Sequence, residues 1–422
     1  MAYHTFITEK SHLKFKYDAH NHALLSMENE SLNLPFDPEK LELPTSSVTK
    51  AKTPRTLKFL LGHACNYSCG YCVQKDIGNS DEKIKNSKTN SFIDKIRSHL
   101  DTSDLHRIEL WGGETLLYWN DIVALMQDFD RPGLTWYIPT NGTLLSDKHI
   151  DFFTALKGKV NIGISHDGPA HERLRGPNFL EKKAAVFKRL QDEGIEFSFN
   201  CVISVYNYDL FKINDYFLSY LKKYDLKSVP LVFEVGRVYD KTLSKNSSLH
   251  ILHDDHLSTY REILSRYLEE HRKNLLDPSS ARQLLNTNLF HFGNGVVPYA
   301  MTLKQQRPMS FKSSCGADLD DLLTVDLNGD IRTCQNAGPE HVFGKVESIH
   351  EATNTKLDLR RSEDFCKDCS VLRLCKSSCP IDINFDVFFA NHLVEKVHYT
   401  EIQLSAFSVL FNERVSQFEP AV

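Results

Sequence analysis

The stretch His63-Ala-Cys-Asn-Tyr-Ser-Cys-Gly-Tyr-Cys-Val-Gln74 places Cys65, Cys69 and Cys72 in a Cys-x3-Cys-x2-Cys loop. Thiolates at that spacing can each take one iron of a cubane cluster, leaving the fourth iron without a protein ligand. An open iron can bind the amino and carboxylate groups of a small molecule and pass it an electron. The other chemistry open to such a loop is a zinc knuckle or a redox pair, although zinc sites normally bring four ligands in two pairs. A second set, Cys315, Cys334, Cys366, Cys369, Cys375 and Cys379, occupies the C-terminal third. It reads Cys-x13-Gly329-x4-Cys, a gap, then Cys-x2-Cys-x5-Cys-x3-Cys. Taken alone, these thiolates suit zinc or iron–sulfur equally.

Strand and helix patterns alternate from about residue 56, and they must position the first loop. Leu57–Leu61, Ile108–Trp111, Thr135–Ile138, Val160–Ile164, Phe197–Ile203 and Pro230–Val235 read as strands. Between them, 116–128, 145–156, 181–193 and 208–223 carry apolar residues at helical spacing. Six such alternations predict an α/β fold, a parallel sheet wrapped by helices and closed into a partial or full barrel. Active-site groups of such barrels sit where strands end. The cysteine loop, Gly112-Gly113-Glu114, Thr140-Asn141-Gly142 and Ser165-His-Asp-Gly168 each follow a strand, so the chemistry is expected on one face. Further on, Asn328-Gly329 between two apolar runs predicts a type I′ hairpin.

The chain has 422 residues, 41% of them apolar, enough for two or three domains with full cores and no need of disulfides. A net charge of −5 without long charged blocks argues against a dedicated duplex-DNA binder, though not against a local basic groove. No signal-peptide core and no apolar run of membrane length is present, so the ten cysteines are expected to be ligands in a reducing cytoplasm. Three segments are expected: an N-terminal β-hairpin-like extension and linker over 1–50, the barrel with a helical connector over 51–300, and a cysteine-rich domain with a C-terminal helix over 301–422. Cys201, inside an apolar strand, reads as core. His250, His253 and His256 read as a polar helix start, because their spacing drifts around a helix.

The cysteine loop closely resembles that of radical S-adenosylmethionine (SAM) enzymes. In that family a reduced [4Fe-4S] cluster cleaves SAM, and the 5′-deoxyadenosyl radical takes a hydrogen atom from substrate. The resemblance implies a partial (β/α)6 TIM-like barrel and a set of SAM contacts. Tyr71 would lie against adenine, and Gly112, Gly113 and Glu114 against the SAM ammonium. Asn141 and Ser165 would face the ribose or carboxylate, and Arg175, with Arg173 nearly as plausible, would meet the carboxylate. The second set resembles the SPASM extension, which holds one or two auxiliary [4Fe-4S] clusters. By that pattern Cys315, Cys334 and Cys379 share one cluster, and Cys366, Cys369 and Cys375 the other. Two departures stand out: no cysteine shortly precedes Cys315, and none follows Cys379. His398 occupies about the position of the missing last ligand; it is either that ligand or a surface histidine on the tail helix.

Anaerobic sulfatase-maturating enzymes, which share this architecture, carry an aspartate base directly after the cysteine matching Cys334. Here Gln335 stands in its place, which weakens a simple dehydrogenation, and Glu234 at a strand end is an alternative base. The hairpin around Lys14–Asp18 resembles the segment preceding the barrel in maturases of ribosomally made peptides. It could add a precursor peptide at its edge or simply cap the barrel. The resemblance therefore implies a peptide maturase forming a cross-link or other C–H-derived modification, fed by flavodoxin or ferredoxin. The competing readings are an enzyme of the same fold acting on a nucleotide, nucleobase or other small molecule, and a non-catalytic iron–sulfur or zinc scaffold.

Overall fold

In the computed structural model the described residues are 3–19, 23–32, 47–77, 88–235, 254–276, 284–285, 287–288, 296–305, 315–355, 357, 366, 368–376, 379 and 385–417. His250, His253, most of the linker before residue 47 and part of the 241–300 connector lie outside them. The centre is a ten-stranded sheet. Six strands are parallel and lie side by side in chain order: β5 Thr56–Leu60, β6 Arg107–Trp111, β7 Thr135–Thr140, β8 Val160–Ser165, β9 Glu196–Ile203 and β10 Leu231–Val235. The helices α1 Thr89–His99, α2 Trp119–Phe129, α3 Asp147–Thr154, α5 Leu180–Asp192 and α6 Leu210–Lys223 connect them, with the short α4 His171–Leu174 before α5. This is the predicted α/β alternation, and all four predicted helical stretches form.

Outward positions of these strands are apolar because helices cover them. Phe59 meets Phe92 of α1 edge-on at 5.0 Å and Phe129 of α2 at 5.8 Å, and Ile108, Leu110, Trp136 and Ile138 are buried with them. Burying each such side chain contributes about 1.5–3 kcal/mol. The alternate positions differ: Lys58, Arg107, Glu109, Tyr137, Asn161, Ser198 and Asn200 carry polar groups. A packed barrel interior would hold branched apolar residues there.

The sheet continues past β5. β12 Leu322–Asp326 pairs in parallel with β5, and β13 Asp330–Arg332 and β14 Val342–Lys345 follow antiparallel. On the other edge, β11 Thr287–Asn288 pairs with β10, while β4 Val48–Thr49 and β15 Thr353–Asn354 form a separate ribbon. The Asn328-Gly329 hairpin is present, but its turn is not type I′, because Gly329 has φ +89° and Asn328 is not in the left-handed region. Leu327, Asn328 and Gly329 form a three-residue loop ending in left-handed glycine, set by Asp326. Its backbone carbonyl accepts from the Gly329 amide and its carboxylate from the Asn328 amide, both at 2.9 Å.

The N-terminal strands β1 Tyr3–Thr8, β2 Lys14–Asp18 and β3 Ala23–Ser26 form an antiparallel sheet completed by β16 Val415–Gln417. Its Phe6, Phe15 and Tyr17 pack on Phe407 of the long C-terminal helix. That helix follows α7 Asp254–Leu276, α8 Val296–Gln305 and α9 Leu372–Cys375; it is α10, Phe385–Phe411. The β1 edge is thus occupied by the chain's own β16, and on β3 the Leu24 carbonyl accepts from Leu32 at 2.8 Å. No helix among the described residues is long and apolar enough to cross a membrane.

At the start of α3, Ser146 and His149 form a reciprocal cap, with the Ser146 amide donating to His149 Nδ1 at 3.1 Å. Burial, helped by Lys148, lowers His149 to about 4. Between about pH 6.5 and pH 4 the unfolded chain therefore binds a proton that the folded one excludes, and stability falls as pH falls through that window. His149→Gln keeps an acceptor at the cap and removes the titration. From pH 7 to pH 5, wild type should lose about 2 kcal/mol more stability than His149→Gln, read from urea midpoints at each pH.

Candidate functional site

β5 runs into the cysteine loop, and the next strand ends hold that loop in place. The Glu114 amide donates to Ala64 O at 2.8 Å and the Gly113 amide to Gly62 O at 3.0 Å. Gly113 is required by close approach: a Cβ there would stand 2.3 Å from His63 O and 2.5 Å from Ala64 O. The Glu114 side chain turns inward, 1% exposed. Its Oε1 accepts from the Leu116 amide at 2.9 Å and Thr140 Oγ1 at 2.6 Å, and its Oε2 from the Asn141 amide at 2.6 Å. Burial raises its pKa above the ordinary value, against the pull of those three bonds. The Asn141 side chain donates to Asn66 Oδ1 at 2.7 Å, which fastens the β7 end to the cysteine loop.

On the far side stands Asp167, which in sequence looks like any turn aspartate. It is fully buried and lies just past β8. Arg175 Nε donates to its Oδ2 at 2.8 Å, Tyr71 Oη to the same oxygen at 2.6 Å, and the Val202 amide of β9 to its Oδ1 at 3.0 Å. The Arg175 guanidinium lies 5.2 Å from the Tyr71 ring centroid. Tyr71 and Arg175 are therefore held by one carboxylate, whereas Arg173 is exposed and stacks on Tyr206 at 3.5 Å. Ser165 closes β8, half-buried and in register with Asn200.

Cys65 is exposed, Cys69 buried and Cys72 half-buried, and none is in a disulfide. Burial raises the Cys65 thiol, against a hydrogen bond from the Tyr67 amide, with Glu114 and Cys72 adding to the rise. Burial pushes Cys69 up to about 11, against Arg175. The Cys65 and Cys69 thiols are thus neutral near pH 7, and a metal would have to displace their protons. Among the described residues no three His, Cys, Asp or Glu side chains gather around one ion-sized position. A cubane asks for less convergence, one thiolate at each iron, and the soft donor set suits it.

The inner positions of β6 to β10, with the segments that lead into β9 (Gln191, Gly194, Ile195) and β10 (residues 227–230), line a cavity of about 810 Å³ that reaches the starts of these strands, the end of the sheet away from the cysteine loop. Glu109 accepts from Arg107 Nε at 2.8 Å and Trp111 Nε1 at 2.9 Å, with Lys58 Nζ at 3.7 Å. Burial opposes its charge, but Lys58 and Arg107 hold its pKa below the ordinary value. Asn200 donates to Tyr137 Oη at 3.1 Å, and burial and then Glu234 raise the Tyr137 pKa. Sequence reading missed this chamber, although the alternation Arg107-x-Glu109-x-Trp111 and Ser198-x-Asn200 was its signal.

Two contacts tie the second cysteine set to this region. Lys58 Nζ donates to Cys315 O at 3.3 Å, and Gln74, two residues past Cys72, donates to Gln335 O at 3.4 Å and Asn336 Oδ1 at 2.9 Å. Cys334 and Gln335 thus approach the first loop. Cys366 and Cys369 pack together with Leu372, and Cys375 ends α9. Cys379 is half-buried. His398 is 3% exposed, so it is no surface residue; its Nδ1 lies 2.5 Å from Tyr260 Oη of α7. Cys201 is fully buried in β9, with Asn207 donating to its sulfur at 3.1 Å.

Residues 59–212 match the model of the radical SAM superfamily. A serine-type anaerobic sulfatase-maturating enzyme of Bacteroides thetaiotaomicron is 22% identical over 359 residues, 76% of this chain and 81% of that one. A shorter match, over 44% of this chain, spans 43% of the length of another curated relative. Among solved structures, anSMEcpe with bound AdoMet and the Cp18Cys peptide shares the fold with a TM-score of 0.58 at 18% identity, over 85% of this chain and 98% of that one. SuiB of Streptococcus suis bound to its precursor peptide SuiA aligns with a TM-score of 0.51 at 14% identity, over 79% of this chain and 73% of that one.

Asp167→Asn removes the charge that pairs with the buried Arg175, and should cost about 3–5 kcal/mol. The urea midpoint of the variant should fall accordingly, and a chelator should strip iron from it faster than from wild type.

Proposed function

We propose that this protein is a radical SAM peptide maturase, a reading supported by the match of residues 59–212 to the radical SAM superfamily. It holds a [4Fe-4S] cluster on Cys65, Cys69 and Cys72 with SAM against it, and auxiliary [4Fe-4S] clusters on the C-terminal cysteines. The product is a cross-link or other C–H-derived modification in a ribosomally made peptide. The observation that carries this reading is the cysteine loop held at the strand ends between two buried carboxylates, Glu114 and Asp167. When bound, the cluster and SAM supply a 5′-deoxyadenosyl radical.

The chain's own residues then orient and protect. Glu114 has three of its acceptor positions taken by the protein, leaving room on Oε2 for one ammonium hydrogen. Asp167 fixes the fork of Arg175, so that its remaining N–H groups can meet a carboxylate. Tyr71, Gly112, Gly113, Asn141 and Ser165 sit around them on the loop and successive strand ends. In the chamber, Glu109 has its charge balanced by Lys58 and Arg107 and presents a fixed acceptor to substrate. Glu234, whose charge helps raise the Tyr137 pKa, would be the base. The relatives with bound peptides support a peptide substrate. A flavodoxin or ferredoxin would deliver the electron.

Anaerobic reconstitution tests the reading. Wild type should carry about eight to twelve irons and form 5′-deoxyadenosine with dithionite and SAM, while the Cys65/Cys69/Cys72→Ala triple variant loses about four irons and all SAM cleavage. Zinc in place of iron and no 5′-deoxyadenosine would sink it. A second prediction isolates the chamber. Glu109→Gln should keep SAM cleavage but lower the yield of modified peptide by about tenfold or more by mass spectrometry, about 1.4 kcal/mol of positioning. A mass shift on a nucleotide and none on a peptide would move the assignment to the small-molecule reading.

A further inference from the structure

Among the described residues, β16 is the outermost strand of the N-terminal sheet and pairs with β1 on one side only. The Glu9 amide donates to Arg414 O at 2.9 Å and Ile7 stands opposite Ser416, so Arg414 and Ser416 turn their backbone groups towards β1. Val415 and Gln417 turn theirs outward. The Val415 amide donates to Ser408 Oγ at 3.0 Å, which leaves the Val415 carbonyl and the Gln417 amide without partners among the described residues. Outside this edge lies a trough of about 600 Å³, lined by β16, by α10 along Glu401, Leu404 and Ser408, and by α7 from Ser258 to Glu269. A second cavity, of about 460 Å³, shares Ser265, Arg266, Glu269 and Arg414 with it and reaches Phe211 in the first turn of α6. Because α6 follows the end of β9, the trough leads from the strand edge towards the side of the barrel that carries the cysteine loop.

We infer that this trough is the docking site of the precursor peptide, a segment of which adds to β16 as an extended strand while the residue to be modified reaches the strand ends. The inference rests on the peptide-maturase reading given above. A free carbonyl and a free amide two residues apart on one edge are what one residue of an added strand pairs with. The edges foreseen in the N-terminal hairpin are taken, β1 by β16 itself and β3 in part by Leu32. Charge then selects the sequence. Arg261 is paired with Glu401, Glu269 with Arg272 and Arg414 with Glu9. Glu262 and Arg266, both exposed in the trough, have no charged partner among the described residues. They stand one turn apart on α7, about 6 Å along its axis, close to the spacing of roughly 6.7 Å between alternate side chains on one face of a strand. The segment that fits is extended and carries a basic and an acidic residue two positions apart, the first opposite Glu262 and the second opposite Arg266. Held there, the peptide presents its remaining length at a raised local concentration.

The probe is a fluorescent peptide, Thr-Val-Lys-Val-Glu-Val-Thr, titrated against the anaerobically reconstituted protein and read by polarisation. It should bind. N-methylation of its alternate amides, or Gln417→Pro, which removes the outward amide and leaves the Ser416 pairing with β1, should each weaken it about tenfold, the loss of one hydrogen bond. The double variant Glu262→Lys/Arg266→Glu should weaken it about fivefold or more, and should bind the charge-reversed peptide, Thr-Val-Glu-Val-Lys-Val-Thr, as tightly as wild type binds the probe. That rescue separates docking from a folding defect. A probe that does not bind at about 1 mM, or that binds equally well after N-methylation, Gln417→Pro and charge reversal, overturns the inference. Binding is read without SAM or reductant, so this failure leaves the maturase reading standing. Absence of 5′-deoxyadenosine and of any peptide mass shift in the same preparation strikes that reading instead, and the identity of the docked peptide with it.

Discussion

The buried Asp167 carboxylate is the point on which the site depends. It has no solvent contact, and three elements separated in sequence donate to it: the cysteine loop through Tyr71, the segment after α4 through Arg175, and β9 through Val202. A buried charge of this kind is tolerated only when its partners are complete. Each partner therefore constrains the others, and the loop's aromatic ring cannot shift without exposing or unpairing an ion. Glu114 does the same on the opposite side, from β6 to β7. Between the two carboxylates a loop of irregular backbone gains the fixity of a strand end.

The strands serve two environments at once. Their outer positions make an ordinary helix-covered apolar layer, while their inner positions make a polar chamber with compensated charges. Helix packing gives the barrel its stability, so the inner face is released from core duty and carries Glu109, Tyr137 and Asn200. Lys58 links the two halves of the chain, pairing with Glu109 in the barrel and donating to Cys315 of the second cysteine set. The inner face of the sheet and the second cysteine set thus share one side chain as neighbour.

Much of this was legible in the sequence, for a physical reason. Parallel strands covered by helices leave strong apolar runs and helical periodicity, so β5 to β10 and the intervening helices could be read directly, and the glycine-rich turns fell at their ends. What escaped was set by tertiary approach. Asp167 looks like any turn aspartate until Arg175 and Tyr71 arrive. Asn328-Gly329 signalled the hairpin, but Asp326 caps the turn and adds a residue to the loop, which changes its type. The offset placed His398 on the C-terminal helix, but its burial against Tyr260 of α7 is set by tertiary packing and leaves no local mark. The N-terminal hairpin was visible by its alternation, whereas its partner strand, some four hundred residues later, carries no local mark.

That pairing of β1 with β16 has a consequence for how the molecule comes into being. Phe6, Ile7 and Thr8 find their register partners only at Gln417, Ser416 and Val415. A ribosome adding about 5–20 residues per second leaves the first strand waiting on the order of tens of seconds for its neighbour. During that interval the barrel can fold, since its strands pair in order of emergence. The sheet that backs α9 and α10 cannot close. The molecule therefore matures in two stages, with its first loop shaped during synthesis and its C-terminal cysteine nest sealed only after the last strand has left the exit tunnel.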